Sequence, residues 1–192
     1  WRSLNTKDPA LRQRYQKEAH FAYRQAIAFG PINPETVFKF INLLSTMNQH
    51  DDAIRLAQTY RKLDPANPSS LIFVRQVLQT REQQLIAAGN FEGAIAITEQ
   101  LNQIDPKNDH FIRRDHYQRQ LDNENYFINS FTKNPANQTN FVQAIYIHGR
   151  RGRTNEILTA INTFSPLAGE DPKNLTLIKN AYGLIQRWED KA

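Results

Sequence analysis

The chain has 192 residues, 40% of them apolar and 22% charged, with a formal net charge of +5 and no cysteine. This is the make-up of a folded domain long enough to bury a sizeable core, and it excludes disordered and collagen-like chains. The lack of cysteine excludes disulfides, thiolate metal sites and cysteine nucleophiles, and no apolar run reaches the roughly 18 residues that a membrane-spanning helix needs.

The first element is a helix over about Pro9 to Phe29, opened by Asp8-Pro9 and closed by Gly30-Pro31. An Asp caps free amides, and Pro suits the first helical position, where its missing N–H is not required. Ala19, Tyr23 and Ala26 share one face of it. The stretch Pro34 to Pro65 then reads as helix, turn, helix, with Val37, Phe40, Ile41 and Leu44 on one face of the first helix and Ala53, Ala57 and Tyr60 on one face of the second. A pair this short leaves apolar surface open, so neighbouring pairs must stack on it to complete a core. Ala19 and Ala53 are 34 residues apart, as are Pro31 and Pro65. Two independent markers therefore give one period.

Asn67-Pro68 opens a longer helix over about Ser69 to Ala88, and Gly89 breaks it. Ala94 and Pro106 are 12 residues apart, as are Ala53 and Pro65, while Ala53 and Ala94 are 41 apart. About two extra helical turns thus lengthen this unit, with Arg81 and Glu82 at its expected packing positions. From Asp109 to Lys133 the pattern is weakest, and the polar run Asp122 to Asn125 leaves open whether one helix or two lie there. Phe141, Ala144 and Ile145 mark the next first helix and Gly152 its turn; Ile157 and Ile161 mark a second helix ending near Pro166. Asp171-Pro172 starts a last helix, about Lys173 to Asp190, with Leu177, Ala181, Leu184 and Trp188 on one side, in the place of a capping helix.

These spacings resemble those of the tetratricopeptide repeat family, whose 34-residue unit runs from a bulky residue, Leu, Gly and Tyr in the first helix to Ala, an aromatic and a closing Pro. Ile41 departs from the small residue of that pattern, and Ala57 from its aromatic; Tyr60 stands ready to supply the missing volume. The resemblance implies an all-α, right-handed α-solenoid over residues 1–192, with units of about 9–31, 34–65, 68–106, 109–135 and 138–166, one of them lengthened, and a capping helix over 173–190. It implies a non-catalytic scaffold that holds a protein or peptide on a concave surface lined by first helices. The partner-binding candidates are Phe38, Lys39, Asn42, Gln79, Gln83, Gln143 and Tyr146, with Phe38 and Tyr146 as aromatic anchors. A related subset clamps a C-terminal carboxylate with Lys and Asn one turn apart. Here Asn42 matches, but Phe38 replaces the Lys, and Gln79 and Thr80 replace later basic residues, which argues against that clamp.

A narrower resemblance concerns AYRQAIAFGPINPETVFKFINLL and DDAIRLAQTYRKLDP, which look like the C-terminal repeat region of bacterial multi-span membrane proteins whose membrane parts are similar to lipid-linked-sugar glycosyltransferases. It implies a domain tethered to a membrane part upstream and standing outside the cytoplasm. The start at Trp1 rather than Met agrees with a segment of a longer or processed protein.

Sites of chemistry are sparse. The histidines lack the i, i+4 spacing of a helical zinc site, and His110 and His116, beside Asp109 and Asp115, are the nearest approach to a metal cluster. Ser45, Ser130 and Ser165 have no nucleophile motif around them, and Asp51-Asp52 suits a helix start. No enzyme activity, metal or cofactor is expected. The alternative function is nucleic-acid binding, which would need Arg113, Arg114, Arg119, Arg150, Arg151 and Arg153 along one continuous face. That arrangement, and hence a nucleic-acid partner, is not expected.

Overall fold

The computed structural model describes residues 6–31 and 33–190, and the described residues form nine helices and no strand. They are α1 (Pro9–Phe29), α2 (Pro34–Thr46), α3 (His50–Leu63), α4 (Pro68–Ala87), α5 (Phe91–Ile104), α6 (Asn108–Lys133), α7 (Gln138–Arg150), α8 (Thr154–Ala168) and α9 (Pro172–Glu189). Most starts are capped as the sequence implies. Asp8 Oδ1 accepts from the Ala10 and Leu11 amides, Asn33 Oδ1 from Glu35, Asn67 Oδ1 from Ser69, Asn137 Oδ1 from Asn140 and Asp171 Oδ1 from Lys173.

The fold is all-α and repeats one device. The pairs α2–α3, α4–α5 and α7–α8 are each joined by a tight turn whose pivot has a left-handed backbone: Asn48 (φ 58°), Gly89 (φ 67°) and Gly152 (φ 64°). In each turn an amide reaches back five residues, Gln49 to Leu44, Asn90 to Leu85 and Arg153 to His148, at 2.9, 2.7 and 3.0 Å. This is the wide hydrogen bond of a Schellman motif, which needs a left-handed residue one position earlier.

The chain divides into two compact units, residues 1–82 with 100–106, and 83–99 with 107–192. In the first, Val37, Phe40, Ile41 and Leu44 of α2 and Ala53, Ala57 and Tyr60 of α3 are buried. Tyr60 is stacked on Phe73 of α4 at 5.8 Å. In the second unit, Phe91, Ala94, Tyr117 and Leu121 form one core cluster. A larger one is built from Phe131, Phe141, Ile145, Ile157, Ile161 and Phe164, with Phe141 and Phe164 stacked at 4.1 Å.

One alternative left open by the sequence is decided, one boundary differs from expectation, and one packing face is less buried than expected. The 109–133 region is a single helix of 26 residues, because Glu124, inside the polar run, is a buried ion-pair acceptor rather than part of a turn. Helix α8 passes through Pro166 and ends at Gly169 (φ 61°); the extra turn buries Ala168, whose carbonyl accepts from Asn174 Nδ2 at 2.6 Å. Helix α1 has the predicted ends but buries no residue fully, and Ala26 on its expected packing face is exposed.

Candidate interaction surface

The first helices carry the candidate residues. On α2, Lys39 and Asn42 lie on the outward side with Glu35, and Lys39 Nζ donates to Glu35 Oε1 at 2.6 Å. That hydrogen bond and the paired charge hold the Glu35 carboxyl below its usual range and the Lys39 ammonium above its own. Phe38 is half-buried, with its ring stacked on Phe73 at 5.2 Å, so it packs against α4. Gln79 and Gln83 are exposed on α4.

Tyr146, in the second unit, lines a hollow, whereas Gln143 lines none. Tyr146 is 61% exposed and forms the shared wall of two adjoining cavities between α7 and α9. One, of about 220 Å³, is lined by Phe141, Val142, Ile145, Leu177, Asn180 and Leu184 besides Tyr146. The other, of about 340 Å³, is lined by Gly149, Arg150, Leu184, Arg187 and Trp188 with Tyr146. Glycine at 149 keeps the hollow tight: a Cβ there would stand 3.1 Å from a Leu184 methyl. Trp188 is held at the far wall by its Nε1, which donates to the Gly149 carbonyl at 2.7 Å. Gln143 is half-buried on the same helix. The helical spacing places Leu177 and Leu184 in a packing stripe but does not single out Asn180 and Arg187. A signal for them is present in the sequence, since α9 begins 34 residues after α7 and so presents first-helix positions to its neighbour.

Four of the six arginines named as a phosphate-binding face are paired with carboxylates, while Arg119 and Arg153 are exposed. Arg150 and Arg151 both bond the Glu124 carboxylate, and Arg151 also approaches Glu92 at 3.6 Å. Arg113 is bridged to Asp109 and touches His110 Nδ1, and Arg114 is bridged to Asp115. His110 is buried beside Arg113, whereas His116 is exposed, edge-on to Tyr117. Among the described residues no three His, Asp or Glu side chains converge as metal ligands, and no helix is long and apolar enough to cross a membrane. His148 is buried at the base of α7, and burial pushes its imidazole below the usual value; Arg153 and Arg151 push the same way and Glu156 opposes them.

No family model matches the chain. A comparison with curated proteins gives no match either. Among solved structures the chain is similar to a thermophilic TPR protein of Thermus thermophilus, at 14% identity over 89% of this chain and 91% of that one, with a TM-score of 0.31.

Proposed function

We propose that the chain is a non-catalytic scaffold that binds a peptide segment of a partner protein along the outward faces of its first helices. The observation that carries this is Tyr146: a large aromatic left mostly exposed between two joined hollows, with the amide of Asn180 lining one of them. An aromatic with adaptable polar neighbours offers contact area at low entropic cost, which is how binding anchors are built. Lys39, Asn42, Gln79 and Gln83, exposed on α2 and α4, are further candidate contacts in their own right, while Phe38 contributes through its packing on Phe73. Pairing of Arg113, Arg114, Arg150 and Arg151 with carboxylates removes most of the charge that nucleic-acid binding would use. A place beside a membrane enzyme rests on the resemblance of residues 21–64 alone.

Selection of a random displayed-peptide library on the 192-residue chain tests the reading. Enriched peptides should lose binding to a Tyr146→Ala, Asn180→Ala double variant whose far-ultraviolet circular dichroism is unchanged. Enrichment that is indifferent to both substitutions would sink the assignment.

A further inference from the structure

The two hollows that meet at Tyr146 differ in chemistry. The first, of about 220 Å³, is walled by apolar side chains such as Phe141, Ile145, Leu177 and Leu184, with Asn180 as its polar member besides the Tyr146 hydroxyl. An apolar cavity of roughly 150 Å³ takes up benzene, so this one has room for a leucine or phenylalanine side chain of a partner. The second, of about 340 Å³, adjoins it across Tyr146 and Leu184 and holds two cations, Arg150 and Arg187, beside the Trp188 ring. Among the described residues no acid lines either hollow. Both walls of the groove, α7 and α9, are helices of this chain.

The two arginines are not equivalent. Arg150 is already engaged by Glu124 and lays its guanidinium over Phe91 at 5.1 Å. Arg187 is exposed and has no ion-pair partner among the described residues. Glu189, the acid nearest to it on α9, lines the hollow between α8 and α9 instead. The Asn180 amide and the Tyr146 hydroxyl are likewise exposed and without a partner among the described residues. The middle of the apolar hollow, level with Ala181, lies about 9 Å from Arg187 along α9 at the helical rise per residue. A peptide in the polyproline II conformation returns to the same side every three residues, after about 9 Å.

We infer that the groove selects an acidic peptide: an extended segment of a partner protein that sets one apolar side chain in the hollow beside Asn180 and, about three residues away, an aspartate or glutamate side chain on Arg187. The inference rests on the Tyr146 reading and adds to it the class of peptide. Arg187 decides that class, because it is the lining charge left without a partner, and a carboxylate is the group that a guanidinium fork binds at two points. The pair would stand at the rim of the groove, where charge selects among partners more than it adds affinity.

Selection of a random peptide library displayed without free C-termini, so that every carboxylate is a side chain, tests it on the wild type, Arg187→Glu and Arg187→Gln, substitutions at an exposed position. On the wild type, enriched peptides should carry Asp or Glu at that spacing from a Leu, Ile, Phe or Met. Replacing the acid by its amide should weaken binding by up to about fivefold, the range of an exposed ion pair, and raised salt should erase the difference. The whole chain carries a net charge of +5, so acid enrichment alone is not enough and the charge swap carries the result. On Arg187→Glu the same apolar residue should return with Lys or Arg in the acid's place, and on Arg187→Gln with no charge preference. Peptides that depend on Tyr146 and Asn180 but show no acid preference, or the same peptides on all three chains, overturn the inference and leave the groove reading standing. Peptides indifferent to the Tyr146→Ala, Asn180→Ala double variant, or no enrichment on any chain, overturn both.

Discussion

Glu124 and Arg151 form an ion pair in which both side chains are almost wholly buried, at 8% and 6% exposure, although they come from the middle of α6 and the end of α7. Arg150 shares the same carboxylate and lays its guanidinium over Phe91 at 5.1 Å. One buried acid thus pairs with two neighbouring cations, Arg151 buried and Arg150 a third exposed. Glu124→Gln keeps the shape and removes the charge, leaving Arg151 only the longer approach to Glu92. Losing one member of a buried pair costs about 3–5 kcal/mol, so the urea midpoint should fall markedly, and the difference from wild type should persist in concentrated salt because buried pairs are weakly screened. Equal midpoints would show that the pair contributes nothing net.

Two glycines should respond in opposite directions to alanine. Gly152 has φ 64°, and a Cβ there would meet the Trp188 ring at 3.3 Å. The left-handed backbone alone costs an L-residue about 1–2 kcal/mol, and displacing Trp188 threatens its bond to the Gly149 carbonyl. Gly152→Ala should therefore lower the melting temperature and shift tryptophan fluorescence. Gly183 lies inside α9 with nothing within 4 Å of its would-be Cβ. Gly183→Ala should stabilise by about 0.5–1 kcal/mol, since alanine loses less entropy in a helix; a loss of stability there would contradict the open space around it.

The repeat was legible because its marks are local. Caps such as Asp8, Asn33 and Asp171, the turn pivots Gly89 and Gly152, and the spacing of Val37, Phe40, Ile41 and Leu44 all act within a few residues, and each stands where expected. What stayed open or differed depends on partners distant in sequence. The polar run around Glu124 left one helix or two open because its arginines lie 26 and 27 residues on. Pro166 looked like a stop because the benefit of continuing, burial of Ala168 and its bond from Asn174, comes from the next helix. Tyr146 was found from its helix position alone, but the wall opposite it, Asn180, Leu184 and Arg187, required the pairing of α7 with α9.

The Phe141–Phe164 stack is where the second unit should be most sensitive to truncation. Both rings are fully buried and the cluster around them is entirely apolar, so no water can fill the space left behind. Phe164→Ala should cost about 3–5 kcal/mol. Phe164→Leu, which keeps much of the volume, should cost clearly less. Chemical denaturation followed by circular dichroism separates the two, and similar losses for both would mean that ring stacking, not volume, dominates.

His148 gives the pH dependence its sign. Burial pushes its imidazole below the ordinary value, Arg153 and Arg151 add to the effect, and Glu156 only partly offsets it; His50 is shifted the same way, by burial and then by Arg81. In the unfolded chain a histidine takes up its proton near about pH 6.5, whereas the folded chain resists until a lower pH. Below that unfolded value the unfolded state therefore binds more protons, and stability falls as the pH falls, while above it the curve is flat with respect to these groups. The equivalent position in α2 is Leu44, buried without a polar partner to satisfy. His148→Leu should accordingly keep the packing and reduce the loss of stability between about pH 7 and pH 5, leaving the residual slope of His50 and the carboxylates. Urea midpoints measured for both chains at a series of pH values decide the matter, and parallel curves would show that His148 is protonated in the folded protein as readily as in the unfolded one.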